Sequence, residues 1–529
     1  MKSHIVSFME LLYINYTNLV PNYGNKVRSI AAGGMMNLLK YCVMLCVVFG
    51  ATGAKADSFA VNKMLGRGIN LGNMLDAPSE GEWGVTLDSA YFPLIKSKGF
   101  SSVRIPVRWS TAARMDTAAP YKISPVFFAR VKWAIDQALK NGLVAVVNVH
   151  HYNELFQDPD GHHDRFVAIW KQVAPLFKNY PDSLVFEVLN EPNTKLTMSK
   201  WNALMLETLD TIRHSNPKRC VIVGPAEWGG TGGLSALTMP GNDRNLILSI
   251  HYYFPFTFTH QKASWVKGSA QWDVAWTGDY FEKKSIEDDF EYAAHYARVN
   301  KLPVYIGEFG ANKGADMASR ARWTAYCSRL FERFGFSWSY WEFCSNFGVY
   351  DPEARKFRDT LVSALIASDK SVLNIAPMKL KTGPSLLWNG NFSLGKQRWS
   401  LVLSGARATD TVMHGVYCLS IQDPGPLSYS VQLTQGSLSL MKGARYLFSF
   451  DAWSKRPKTI SAKVQDVEFY SPYMACKCVP LTSKKRRFSS VFTMAQTRGD
   501  CRVCFEAGGI DTTGVNIANV ALCPLDTAR

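Results

Sequence analysis

The sequence predicts an α/β chain in which a closed (β/α)8 barrel precedes a smaller all-β sandwich. Three observations lead there. From residue 65 to about 365, eight short apolar strand candidates alternate with amphipathic helical segments. No Gly-x-Gly-x-x-Gly follows the first strand, which argues against an open dinucleotide-binding sheet. Helical patterning then ends near residue 368, and short β-prone runs separated by turns take over.

The chain has 529 residues, about two domains' worth, with 47% hydrophobic and 19% charged residues. That composition is globular and excludes a disordered chain. Residues 1–56 are set apart from the fold as an upstream extension and signal peptide. The apolar run YCVMLCVVFGATG (41–53) follows Lys40 and leads to Ala54-Lys55-Ala56, a pattern for secretory cleavage before Asp57. It is short for a membrane span. Translation is expected to start at Met35 or Met36, the alternative being a genuine extension with an internal anchor.

The barrel is expected over 57–368, with strands GRGINLG (66–72), SVRIPV (102–107), LVAVVNVH (143–150) and LVFEVLN (184–190). CVIVGP (220–225), LILSIHY (246–252), PVYIGEF (303–309) and SWSYWEF (337–343) complete the eight. Between strands run segments such as SPVFFARVKWAIDQALKNG, apolar at helical spacing and stopped by Asn141-Gly142. Barrel active sites gather at the C-terminal ends of the strands. Read there in order, the chain offers Asn70, Arg104, His150, Asn190 with Glu191, His251 with Tyr253, Glu308 and Trp341. Only the fifth strand contributes nothing obvious.

Glu191 and Glu308 end strands that are not neighbours, so they face each other across the mouth. Two carboxylates flanking one point suit glycosidic cleavage, one protonated for the leaving oxygen and one ionised to attack or to activate water. Unequal surroundings are expected to separate their pKa values. The bland alternative is that a strand-end Glu pairs with Arg104 in a buried network, the role expected of Glu187 and Glu342. His150 and His151 lack a third ligand at suitable spacing, so neither a metal nor a cofactor is expected.

The motifs GINLGNMLDAPSEGEWG (68–84), SVRIPVRW (102–109), VNVHHYNEL (147–155) and VFEVLNEP (185–192) resemble glycoside hydrolase family 5. So do SIHYYFPFTFTHQ (249–261), YIGEFGA (305–311) and YWEFCSNFGVYD (340–351), in family order, most closely the bacterial endo-β-1,4-glucanases. The resemblance implies Glu191 as acid/base and Glu308 as nucleophile of a retaining double displacement, with carboxyl groups about 5–5.5 Å apart. It implies that Asn190 bonds the sugar 2-hydroxyl and that Tyr253 and Arg104 orient Glu308, Arg104 keeping it ionised. His150 and His251 would surround the −1 sugar, with Trp341 as its floor. Asn73, His151 and Trp265 match outer substrate contacts. Asp76 stands where close relatives often carry Glu, which bears on fine substrate preference.

A linker is expected at 369–385 and a sandwich at 386–529, where WNGNFSLGKQRWS (388–400), SYSVQLTQ and ARYLFSFDA resemble β-sandwich carbohydrate-binding modules. Trp399 is read as core; Trp453 and Tyr470 are candidates for stacking on glycan. Of 11 cysteines, six lie in this last quarter; the spacings Cys476-x-Cys478 and Cys501-x-x-Cys504 could suit zinc, but an exported β-rich module favours disulfides, with the pairing left open. The formal charge is +16, and residues 381–529 hold 18 Lys and Arg against 9 Asp and Glu. The run Lys484-Lys485-Arg486-Arg487 is the densest part, a solvated face or a contact for acidic or insoluble polysaccharide. The expectation is thus a secreted, extracellular or periplasmic, monomeric glucanase acting on a β-glucan polysaccharide, without a nucleic-acid partner. Mannan, glucomannan or mixed-linkage glucan is the alternative substrate, and an inactive glycan-binding surface protein the remote one.

Overall fold

A computed structural model of the chain describes residues 57–375, 381–470, 472–509 and 511–525, without the side chains of 474–478. The signal-peptide reading and the Cys476 and Cys478 thiols therefore lie outside the described residues, whereas Cys418, Cys501, Cys504 and Cys523 are free thiols, against the disulfides expected there. Eight parallel strands close into a barrel in chain order: β1 (Arg67–Asn70), β2 (Ser102–Ile105), β3 (Val144–Asn148) and β4 (Leu184–Glu187). β5 (Val221–Val223), β6 (Leu246–Tyr252), β7 (Val304–Phe309) and β8 (Ser337–Tyr340) follow, and β1 pairs with both β2 and β8. This is a TIM barrel.

Its helices begin and end where local chemistry dictates. The helix Pro125–Lys140 starts on Ser124, whose hydroxyl accepts the Phe127 N–H, has proline in its first turn, and stops at Asn141 before Gly142 at φ 68°. Val131, Ala134, Ile135 and Ala138 are its buried stripe against the strands.

The regular strands are shorter than the apolar runs. β4 ends at Glu187, although the Val188 and Asn190 N–H groups still donate to Ile222 and Val149 of its two neighbours. Glu191 then adopts φ 43° and Pro192 offers no N–H, so the chain leaves the ladder there. Glu191 therefore stands on the first turn beyond a strand, not on the strand itself.

After a short hairpin, β9 (Tyr350–Asp351) with β10 (Lys356–Phe357), and a last helix, Asp359–Ile366, come two five-stranded antiparallel sheets. One has the order β11 (Ser400–Leu403), β14 (Val431–Leu440), β19 (Arg498–Glu506), β16 (Lys458–Asp466), β17 (Pro472–Leu481). The other runs β12 (Arg407–Met413), β13 (Val416–Asp423), β20 (Val515–Pro524), β15 (Arg445–Ser454), β18 (Arg486–Thr493). Alternate residues Tyr446, Phe448, Phe450 and Ala452 of β15 are buried with Val503 and Phe505 of β19 between the sheets. Trp399 is buried there too, against Phe392.

Candidate active site

The barrel mouth is organised around one guanidinium. Arg104 is wholly buried, and all five of its N–H groups have acceptors. Nε and Nη2 bond the Glu187 carboxylate at 2.6 and 3.2 Å, Nη2 also reaches Asn190 Oδ1 at 2.7 Å, and Nη1 donates to Asn70 Oδ1 at 2.9 Å and Glu308 Oε1 at 2.7 Å. Burial opposes its charge, but the carboxylates of Glu187 and Glu308 raise its pKa further. Because Arg104 engages the Asn190 carbonyl, the Asn190 amide NH2 points the other way, free to donate to a sugar hydroxyl.

Glu308, 5% exposed at the end of β7, accepts its second hydrogen bond from the Tyr253 hydroxyl at 2.8 Å. Burial, with the charge of Glu308 beside it, pushes the Tyr253 phenol well above 10, so it remains a donor. Across the mouth, His251 Nδ1 lies 2.8 Å from Glu191 Oε1 and 3.7 Å from Glu308 Oε2. Carboxylate oxygens of Glu191 and Glu308 lie within 4.8 Å of one another. That is the close spacing of a nucleophile and an acid/base, well short of the roughly 6.5–9.5 Å that leaves room for an intervening water.

The protonation pattern differs from the one expected. Burial raises Glu308, and the charges of His251 and Arg104 offset only part of this. Glu191 keeps 23% of its side chain exposed; burial works to raise it, but the His251 hydrogen bond and charge win and hold it below the usual carboxylate range. Burial works against charge on His251 as well, yet the carboxylates of Glu308 and Glu191 raise it above 6.5. The two glutamates are thus shifted in opposite directions, Glu308 upward and Glu191 downward, with His251 between them favoured in its charged form.

Two further histidines line the mouth. Asn148 Nδ2 faces His150 Nδ1 at 3.1 Å, and since an amide nitrogen only donates, Nδ1 accepts and the ring carries its proton on Nε2. Burial and the neighbouring His151 and Arg104 lower His150 well below 6.5, leaving it neutral. Its ring is parallel to that of Trp341, with centroids 5.8 Å apart. Trp341 closes the floor because Gly72 lets it approach: a Cβ there would lie 2.8 Å from the indole. His151, half-exposed, stands edge-on to Trp83.

Three sequence readings change. Asp76 is fully enclosed behind the cleft wall: its oxygens accept the Asn73 and Met74 N–H groups at 3.0 and 2.8 Å, which holds Asn73 at φ 64°, and Oδ2 lies 3.8 Å from His151 Nε2. Burial raises it to about 7 despite those amides. Among the described residues Glu342 meets no guanidinium; it accepts the N–H groups of Cys344, Ser345 and Phe347, and burial raises it to about 7. The fifth strand is not silent, for Trp228, 56% exposed in the loop after β5, lines a cavity of about 260 Å3 with His151, Phe156, Asn190, Glu191 and Asn193. Glu227, Trp228 and Gly229 are all left-handed, and Gly229 accepts the His251 N–H, where a Cβ would sit 3.3 Å from that ring. An aromatic followed by Gly-Gly directly after an apolar run was the available signal. Trp265 is 56% exposed, its ring 6.3 Å from Phe347. A second cavity, about 360 Å3 and lined by Tyr91, Arg130 and Trp133, shares no residue with the acid pair.

Among the described residues, two groups are close enough to share an ion, Asp76 with His150 and His151, and Glu191 with His251 and Glu308. In the first, Asp76 accepts backbone amides; in the second, His251 Nδ1 lies 2.8 Å from Glu191.

The cellulase (glycosyl hydrolase family 5) model matches residues 62–347, more than half the chain and every residue of the site. The chain belongs to glycosyl hydrolase family 5. A carbohydrate-binding domain model matches residues 384–514. Among family relatives, Endoglucanase H of Acetivibrio thermocellus is 33% identical over 315 residues, 58% of this chain but only 33% of that protein. This chain thus spans about a third of that larger relative. Endoglucanase A of Ruminococcus albus is 30% identical over 57% of this chain and 90% of its own length. Structures of Thermotoga maritima Cel5A with cellobiose and with mannotriose each share 48% identity, with TM-score 0.58, over 59% of this chain and all of theirs.

Proposed function

We propose that this family 5 chain is a retaining endo-β-1,4-glucanase with an accessory glycan-binding module. The spacing of Glu191 and Glu308 carries the reading: their oxygens lie within 4.8 Å. Glu308 attacks the anomeric carbon while the glycosidic C–O bond breaks, and the departing oxygen takes the Glu191 proton. Water, deprotonated by Glu191, then hydrolyses the glycosyl ester and frees Glu308. The proton reaches Glu191 along the 2.8 Å bond from His251 Nδ1. That transfer converts an imidazolium and two carboxylates into a neutral imidazole, a carboxylic acid and one carboxylate, with no proton drawn from solvent.

A second reading is β-mannan or glucomannan hydrolysis, favoured by the Thermotoga relative's structure with mannotriose. Hydrolysis of carboxymethylcellulose, glucomannan, lichenan and mannan decides between them, with NMR of the first anomer released. Retention with glucan preference is expected; inversion, or strong mannan preference, overturns mechanism or substrate respectively. Glu308→Gln with undiminished hydrolysis would remove Glu308 as nucleophile.

We also read the chain as exported and monomeric. The Ala-x-Ala pattern before Asp57 supports the export reading alone. N-terminal sequencing of the culture-medium protein tests cleavage there, and sedimentation tests the monomer. The basic run of the module, where Lys485 lies over Trp453 and near Asp451, supports contact with acidic or insoluble polysaccharide. Retention that does not weaken with salt would count against that.

A further inference from the structure

The sandwich is seated on the barrel. The turn between β16 and β17 places Phe469 against the loop after β6: its ring lies 3.5 Å from where a Cβ on Gly268 would stand, and Lys267 Nζ is 4.6 Å from its centroid. Around this plug, Tyr292 meets Thr459 at 3.3 Å, Lys442 pairs with Asp273 at 3.6 Å, and Arg445 pairs with Asp279. The same loop carries Trp265 three residues before Gly268. Trp265 is linked by ring contacts to Phe347, and Phe347 to Tyr253, the hydroxyl donor to Glu308. On the module side the residue after Phe469 is Tyr470, 61% exposed at φ 57°, with the Arg502 guanidinium 5.2 Å from its ring. Along the chain path through Gly268 and Phe469, Trp265 and Tyr470 are no more than about 25 Å apart, a few sugar units.

We infer that the module lengthens the catalytic cleft, a β-linked glucan leaving the barrel over Trp265 and continuing onto Tyr470. An exposed ring stacks on the apolar C–H face of a pyranose, and the Arg502 guanidinium, itself held by the Gln465 amide oxygen, fixes the ring. A lone surface tyrosine is ordinary. What distinguishes this one is continuity: the residue beside it anchors the module to the loop that bears Trp265, a predicted outer sugar contact of the barrel. A module on a free tether would only raise local substrate concentration. A seated one adds binding positions in register with the acid pair.

The inference rests on the glucanase reading, and the test separates the two. Full-length Tyr470→Ala and Tyr470→Phe are compared with wild type on β-1,4-glucan oligomers from trimer to hexamer and on soluble polymer. For Tyr470→Ala, KM for hexamer and polymer rises about three- to tenfold, while trimer kinetics, kcat and the unfolding midpoint stay unchanged. Tyr470→Phe behaves as wild type. Equal KM at every length overturns the inference, as does an equal change at every length. Lost retention on insoluble cellulose with unchanged soluble kinetics also overturns it, making the module a separate anchor. A wild-type chain inactive on every glucan removes the glucanase reading and the extended cleft with it, whereas active wild type with unaffected Tyr470→Ala removes only the cleft.

Discussion

Arg104 binds four acceptor residues from three strands or their ends, so its removal leaves two buried carboxylates, Glu187 and Glu308, without their cation. Breaking a buried pair costs about 3–5 kcal/mol because the remaining charge is uncompensated. Arg104→Met should lower stability by that amount in urea titrations and abolish hydrolysis; Arg104→Lys, which keeps charge but not the fork, should fall between. His251 makes a prediction of opposite kind, on pH. Its raised pKa means that the proton shared with Glu191 leaves only above 6.5, so the alkaline limb of kcat/KM lies above that pH. In His251→Gln the limb is set by Glu191 alone and moves to lower pH. An unmoved limb would show that His251 does not hold the proton.

At the scale of elements, the loops after β1 and β8 are each tied by one buried carboxylate. Asp76 gathers the amides of Asn73 and Met74, and Glu342 those of Cys344, Ser345 and Phe347, on either side of the Gly72–Trp341 contact. Both titrate near 7 when folded, above 3.8 and 4.5 for the free groups. The folded chain therefore binds these protons more tightly than the unfolded one. Their contribution to stability falls as pH rises from about 4 to 7, by up to a few kcal/mol, and is level above that. Asp76→Asn should flatten this part of the stability profile, read as urea midpoints at pH 5 and pH 8. A wild-type-minus-variant difference that does not change with pH would show that Asp76 is ionised throughout.

For the whole molecule, Asp279 has two tasks. It caps the helix Tyr280–Asn300, accepting from Phe281 and Glu282 while Glu282 returns a bond to its N–H, and it pairs with Arg445 of β15 in the sandwich. Losing a cap costs about 1 kcal/mol, and a partly exposed ion pair less than about 1 kcal/mol. Thermal unfolding should therefore rank Asp279→Ala as more damaging than Arg445→Ala. Asp279→Asn, which still caps, should match Arg445→Ala. Equal effects of Asp279→Ala and Arg445→Ala would mean that the inter-domain pair dominates.

The alternating pattern by itself determined the barrel, its eight strands and the residues at their ends, since apolar periodicity is a local property and the barrel admits few ways to bury it. It also singled out Glu191 and Glu308, because an acid closing an apolar run demands a use. Strand ends were less legible: Val188 to Asn190 look like strand and keep neighbouring hydrogen bonds, but Pro192 and the left-handed Glu191 turn the chain away. Only the tertiary structure decided that His251 joins Glu191 to Glu308, that Asp76 gathers the amides of its own loop, that Trp228 joins the cleft, and that Phe469 seats the sandwich on the barrel. Each depends on charges and surfaces brought together from distant parts of the chain. Electrostatic energy adds through space, whereas periodicity adds along the sequence.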